Sequence, residues 1–199
     1  MEKQIIITLG REFGSAGHEV GEELASKLGI NFYDRKIMDL VAKEHNISEK
    51  EIAKYDEKPK SRLFSRTVNG YSNSLEDIIF ELQSNFIKEK ANKGESFVVV
   101  GRCGEKIFAD HPGHISIFVL GDKEEKIARV MNIYNLDRDG AYEKMRRHDK
   151  GRKAYHNSRC DGKWGDSRTY DLCINSSKLG VEATVEMLED YVKTRIAQM

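Results

Sequence analysis

Proline is nearly absent: Pro59 and Pro112 are the only two in 199 residues, so little in the chain interrupts long helices. Cysteine is scarce as well. Cys103, Cys160 and Cys173 are widely spaced, odd in number and without a C-x-x-C pair, which argues against zinc and against a disulfide framework. Reduced thiols in a cytoplasm are the expectation. Excess charge of either sign is missing too. The 33 basic and 33 acidic residues cancel, so no overall field would draw nucleic acid or an acidic membrane. No apolar run approaches the roughly 20 residues needed to span a bilayer, and the first residues enter a strand pattern without the look of a secretory signal. What is present is a polar globular composition, 33% charged and 39% hydrophobic, in a chain long enough for one domain with a sizeable core.

Five short apolar runs, at residues 4–9, 30–33, 97–100, 115–120 and 171–174, read as strands. They are nearly continuous in hydrophobicity, as expected of parallel strands buried on both faces. Helical patterns separate them. Val20, Leu24, Ala25 and Leu28 space a first helix, stopped by Gly29. Ile37, Leu40 and Val41, with Met38, give a second, and the Ser48-Glu49-Lys50-Glu51 capping box opens a third. A fourth starts at Ser74 and ends before Gly94, a fifth follows Asp122, a sixth covers about 139–150, and the last starts near Val181. Strands alternating with helices imply a doubly wound α/β sheet, with ligands at the carboxyl ends of its strands. Residues 150–169 carry three glycines, the lone Trp164 and much positive charge, and read as a lid.

The stretch Gly10-Arg11-Glu12-Phe13-Gly14-Ser15-Ala16-Gly17-His18-Glu19 follows the first strand and precedes a helix. That layout suits a phosphate-binding loop, in which backbone N–H groups and a helix N-terminus converge on an anion. Gly14, Ser15, Ala16 and Gly17 would supply the cradle. The usual loop ends in Gly-Lys-[Ser/Thr], whereas here His18 and Glu19 follow Gly17. Imidazole can be protonated beside a polyphosphate, or donate one hydrogen bond while neutral. Glu19 reads as a magnesium ligand, direct or through water, or as a first-turn acid that suits the helix dipole. Arg11 can restore the missing positive charge or face solvent.

Three further places carry candidates. Asp34 either caps the next helix or orients a substrate or a metal-bound water, and Arg35 can take a substrate phosphate. Gly101-Arg102-Cys103-Gly104 follows a buried strand, and its arginine is suited to reading an anion or a base. Cys103 is more simply a small packed residue than a nucleophile. The basic run from Arg146 to Lys153, with Arg159 and Arg168 beyond, can be a solvated helix face. Beside a lid, one or more of Arg147, Arg152 and Arg159 is expected to meet phosphate.

Taken together, these motifs resemble the cytidylate kinase-like P-loop proteins, relatives of bacterial cytidylate kinase. The resemblance covers nearly the whole chain. It rests on the glycine loop through Gly21, Phe32-Tyr33-Asp34, Gly101-Arg102-Cys103, and Trp164-Gly165-Asp166 with Tyr170 to Ser177. It implies a three-layer P-loop NTPase fold in a single domain over residues 1–199. That fold has a five-stranded parallel sheet with helices on both faces, a monophosphate-binding insert at about 35–95 and a lid at about 150–169. It implies ATP as donor, Mg2+ as cofactor and a nucleoside monophosphate, CMP or dCMP, as acceptor. Gly14 to Glu19 would hold the ATP phosphates, Asp34, Arg35, Arg102 and Cys103 the acceptor, and Arg11, His18, Arg147, Arg152 and Arg159 would serve catalysis. The chain departs from that family's kinases at His18, where they have lysine, and at Cys103, where they have aspartate. Two other readings stay open: a nucleotide-binding regulator that keeps the fold without the chemistry, and a small-molecule kinase with another acceptor.

Overall fold

The computed structural model describes residues 3–37, 67–68, 71–72 and 74–199. The expected second and third helices, with Met38, Leu40, Val41 and the Ser48 box, lie outside the described residues apart from Ile37.

Five strands make one all-parallel sheet: β1 (Ile6–Arg11), β2 (Asn31–Tyr33), β5 (Phe97–Val100), β6 (His114–Leu120) and β7 (Leu172–Asn175). The order is β2-β5-β1-β6-β7. β1 is central, with Ile6 level with Phe97 on one side and His114 on the other. The chain crosses from one side of β1 to the other between β5 and β6, so the crevice at the carboxyl ends of these strands is the switch point where α/β sheets bind ligands. β3 (Thr67–Val68) and β4 (Tyr71–Ser72) pair antiparallel, apart from this sheet.

Both faces of the sheet are covered. Ile5, Ile7 and Leu9 meet Val20 and Leu24 of α1 (Gly17–Leu28) and Val185, Leu188 and Val192 of α6 (Ser176–Gln198). On the opposite face Ile6, Phe97 and Val99 meet Ile37, Phe108 and Ile87 of α2 (Leu75–Asn92). Period-2 side-chain alternation sends neighbouring β1 residues to opposite faces, and since both faces are dry the strand reads as a continuous apolar run. The short α3 (Gly104–Ile107) follows β5. A third cluster joins α4 (Lys123–Tyr134) to α5 (Arg138–Arg159) through Ile127, Val130, Ala141 and Met145, with Phe13 of the glycine loop packed into it.

Two sequence signals act where expected: Gly29 ends α1 at φ 65°, and the Ser74 hydroxyl accepts from Asp77 N at 3.3 Å to start α2. α5 starts at Arg138, close to where the spacing puts it, with Asp137 accepting from Gly140 N at 2.8 Å.

Two boundaries move. α5 does not end near Lys150 but runs on through Gly151 to Arg159, so the first ten residues of the expected lid are helix. A single helical glycine costs only about 1 kcal/mol relative to alanine, and the burial of Tyr155 and His156 one turn further on offsets it. The non-helical link between α5 and β7 is thus 160–171, with one tight turn at Ser167–Thr169. α6 begins at Ser176, but Gly180 breaks its geometry at φ 76°, ψ 175°, leaving the continuous helix to start at Val181 as its apolar spacing predicts. Among the described residues no helix is long and apolar enough to cross a membrane.

Candidate anion-binding site

The loop from Glu12 to Ala16 leaves the central strand and turns into α1. Gly14 takes φ 85°, and a Cβ there would lie 2.9 Å from the Lys126 carbonyl oxygen. Ala16, the residue before the helix, sits in the left-handed region at φ 59° and offers the helix no side-chain cap. A non-glycine residue pays roughly 1–2 kcal/mol for that conformation, and such strain concentrates at ligand sites. The uncapped helix start carries N–H groups and the positive end of the helix dipole, which together favour an anion.

Neighbouring elements hold this loop. Phe13 N donates to Asp149 Oδ1 at 2.7 Å, and the Phe13 ring stacks on His148 with centroids 4.2 Å apart. Burial raises the Asp149 carboxyl, with partial opposition from the Phe13 N–H and the charges of Lys126 and Arg152. Glu12 accepts from Lys126 Nζ at 2.7 Å and from Gly121 N at 3.1 Å. Asp149, Lys126 and the His148 stack were not singled out from the sequence. Their only signal there is position on amphipathic helices, which does not say which loop they meet.

The candidate side chains divide into groups. Arg11, Arg35, Arg102, Arg147 and Arg152 line one cavity of about 410 Å³. A second cavity, of about 370 Å³, is lined by Gly14, Ala16, Gly17, His18 and Glu19. Arg11, Phe13, Tyr134 and Arg152 belong to both, so the arginine cavity and the glycine loop adjoin. Arg152 reaches the Arg11 carbonyl at 3.4 Å and lies over the Phe13 ring. Arg102 lines the arginine cavity while only 2% exposed, and Gly101, Arg102 and Cys103 adopt three successive left-handed conformations, at φ 78°, 64° and 53°.

Other candidates are directed elsewhere. His18 does not turn into the cradle as a lysine substitute. Its Nε2 lies 2.8 Å from Asp34 Oδ2 and its Nδ1 3.9 Å from Glu22 Oε2, because the start of α1 and the end of β2 stand side by side. Burial pushes the Asp34 carboxyl up, but hydrogen bonds from His18 and from Lys36 N outweigh it and leave the group below its ordinary value. Glu19 is paired with Arg129 of α4. A carboxylate already neutralised by a guanidinium is a poor magnesium ligand, so the loop fits the phosphates of a nucleotide but supplies no evident magnesium site of its own. Arg159 turns away from the cleft and pairs with Asp77 of α2 at 3.0 Å, both side chains being over nine-tenths buried. Cys103 is buried in a smaller cavity behind Arg102, shared with Glu105, His156 and Tyr170.

An all-parallel five-stranded sheet, flanked by helices and carrying a glycine loop after its central strand, defines a P-loop kinase fold. Two solved structures share that fold: shikimate kinase from Bacteroides thetaiotaomicron (TM-score 0.56, 13% identity, 95% of this chain and 98% of that one) and a sugar kinase from Janibacter (TM-score 0.52, 13% identity, 98% and 97%). The chain belongs to the cytidylate kinase-like family, whose model matches residues 6–178. It is also similar to an uncharacterized protein from Eubacterium ventriosum, at 41% identity over 96% of this chain and 99% of that one, with a TM-score of 0.76. No curated protein matches the sequence.

Proposed function

We propose that this kinase-like, nucleotide-binding protein transfers the γ-phosphoryl group of ATP to a nucleoside monophosphate, CMP or dCMP being the favoured acceptors, in the cytoplasm. The observation that carries this reading is the adjoining pair of cavities, a glycine cradle on one side and five arginines on the other. A polyphosphate and a second phosphate-bearing molecule would meet between Arg11 and Arg152. Bound ATP would supply the phosphoryl group, with Mg2+ brought by its own phosphates, as that ion commonly is. The backbone of Gly14 to Gly17 holds the donor, Arg35 and Arg102 hold the acceptor phosphate, and Arg11, Arg147 and Arg152 offset charge on the migrating group. Positioning and electrostatics are most of what phosphoryl transfer asks of a protein. A cavity of about 350 Å³ on the far side of the loop, lined by Arg129, Ser176, Ser177 and Gly180, offers room for the donor's base.

The test is to incubate pure protein with magnesium-ATP and each nucleoside monophosphate, with shikimate and simple sugars as further acceptors. Diphosphate product from CMP or dCMP is expected. Product from no monophosphate at high enzyme concentration refutes the kinase reading as stated, and product from a sugar alone moves the acceptor. The pinned His18 favours one rival, a regulator that binds nucleotide without turnover. Under that rival, wild type binds nucleotide but turns over only as His18→Lys.

A further inference from the structure

We propose that Cys103, Glu105, His156 and Cys160 form a binding site for one thiophilic divalent cation of the zinc class, behind Arg102 at the edge of the nucleotide cleft. The sequence has no C-x-x-C pair, but it has two other short spacings that the fold brings face to face. Cys103 and Glu105 flank Gly104 at the start of α3. His156 and Cys160 are four residues apart at the end of α5, a spacing that puts two side chains on one face of a helix.

The donor atoms of Cys103, Glu105 and Cys160 all lie within 4.8 Å of one another. Cys160 Sγ is 3.6 Å from Glu105 Oε1, and His156 Nε2 is 2.6 Å from the same oxygen. Metal–donor bonds of about 2.0–2.3 Å in a tetrahedron put donors roughly 3.3–3.8 Å apart. The sulfur–oxygen separation already suits this, and the histidine–carboxylate contact has to open by roughly 0.7 Å once both bind metal instead of each other.

The surroundings fit as well. The His156 and Glu105 side chains are only 6% and 10% exposed, and Cys103 is buried. A buried thiol, an acid and an imidazole gathered beside the half-buried Cys160 thiol need a reason, and a shared cation is one. The second ring nitrogen of His156 lies 3.2 Å from Asn157 Oδ1, and that oxygen also accepts from Trp164 N at 2.9 Å. A metal-binding histidine ordinarily donates its other N–H to such an acceptor, which fixes the ring and its tautomer. Two thiolates, a carboxylate and a neutral imidazole around a divalent ion leave one net negative charge, and Arg102 and Arg152 line the same small cavity to offset it. Sulfur donors select zinc-like ions over magnesium. The ion would tie the segment that follows Arg102 to the end of the helix that carries Arg152.

The experiment uses the full chain, reduced and stripped of metal, titrated anaerobically with Co2+ and then Zn2+. One equivalent of Co2+ should give the intense visible bands of a tetrahedral ion with a thiolate-to-cobalt charge-transfer band, all bleached by Zn2+. Zn2+ alone should raise the melting temperature, because it binds the folded state. Cys160→Ser should lose about half of the charge-transfer intensity per bound cobalt and weaken binding by more than the roughly 10–100-fold typical of outer hydrogen-bond partners. His156→Asn should keep the charge-transfer band but bind more weakly, and Cys173→Ser should match wild type. The reading is overturned if reduced wild type, with all three thiols free, gives no tetrahedral spectrum, or if Cys160→Ser gives the wild-type spectrum. It is equally overturned if Cys103 and Cys160 form a disulfide in air while the reduced protein binds no metal. Cys103 occupies a buried left-handed position where substitution threatens folding, so the decision rests on wild type, Cys160 and His156.

Discussion

Gly17→Ala tests the phosphate cradle with one methyl group. Gly17 opens α1, and a Cβ there would sit 2.5 Å from Arg11 Cβ and 3.2 Å from Val119 Cβ. Neither atom is the free end of a flexible chain; they belong to the last residue of β1 and to β6, the strand beside it. Relief therefore requires the start of α1 to move away from the sheet by several tenths of an ångström or more. Overpacking of this kind costs roughly 1–3 kcal/mol, which for a chain of this size lowers the melting temperature by roughly 2–12 °C. The same shift takes the helix-start N–H groups out of the narrow distance range of good hydrogen bonds. A loss of about 1.4 kcal/mol in binding is tenfold in affinity, and at least that is expected for a non-hydrolysable ATP analogue by titration calorimetry. Gly29→Ala is the control. Its φ of 65° makes alanine strained, but nothing lies within 4 Å of the added carbon, and it stands at the opposite end of α1. It should cost roughly 1–2 kcal/mol of stability and leave nucleotide affinity unchanged. If Gly17→Ala melts lower yet binds nucleotide like wild type, the loop is not the phosphate site.

Two other perturbations separate structure from chemistry. Arg159→Ala strands the buried carboxylate of Asp77, so urea unfolding should show a loss of roughly 3–5 kcal/mol; full stability with lost phosphoryl transfer would return Arg159 to the catalytic set. The His18–Asp34 contact predicts an acid-side effect. The Asp34 carboxyl is held below its ordinary value in the fold, so its contribution is complete above the unfolded value of about 3.9 and disappears as pH falls through the lower folded value. The urea midpoint of wild type should exceed that of His18→Ala at about pH 5, and the margin should shrink below about pH 4. The His18 ring also meets the edge of Phe32, with centroids 5.3 Å apart, and a margin that persists unchanged at about pH 2 would mean that this packing, not the carboxylate, is what His18 contributes.

The β1–loop–α1 unit was legible because its signals are local: an apolar run, glycines at a tight turn, then helical spacing stopped by Gly29. The parallel sheet with helices on both faces followed from strands alternating with helices; its order, β2-β5-β1-β6-β7, is set by long-range pairing that the sequence does not display. The end of α5 was not legible, because Gly151 looks like a helix stop until the burial of Tyr155 and His156 is known. Partner choice was hidden too. His18 and Asp34 are 16 residues apart and Glu19 and Arg129 are 110 apart, so only the packing of α1 against β2 and α4 decides that these loop residues meet side chains. The cysteines show the same limit, since a motif search by spacing sees Cys103 and Cys160 as strangers.

A P-loop lysine usually carries its charge on the helix that follows the loop. Here that position is turned sideways to Asp34, while Glu12 and Glu19 are matched by Lys126 and Arg129. Glu12, Glu19 and Asp34 beside the cradle thus each have a basic partner, and the arginines of the cleft are Arg11 at the end of β1, Arg35 after β2, Arg102 after β5, and Arg147 and Arg152 on α5. A lysine on α1 is fixed relative to the loop by the helix itself, whereas α5 reaches the loop through the Asp149 contact with Phe13 N and the contact between Arg152 and the Arg11 carbonyl. Electrostatic competence of the loop therefore depends on where α5 sits. The Cys–His pair at the end of that helix is where the proposed cation would tie α5 to the segment that follows Arg102.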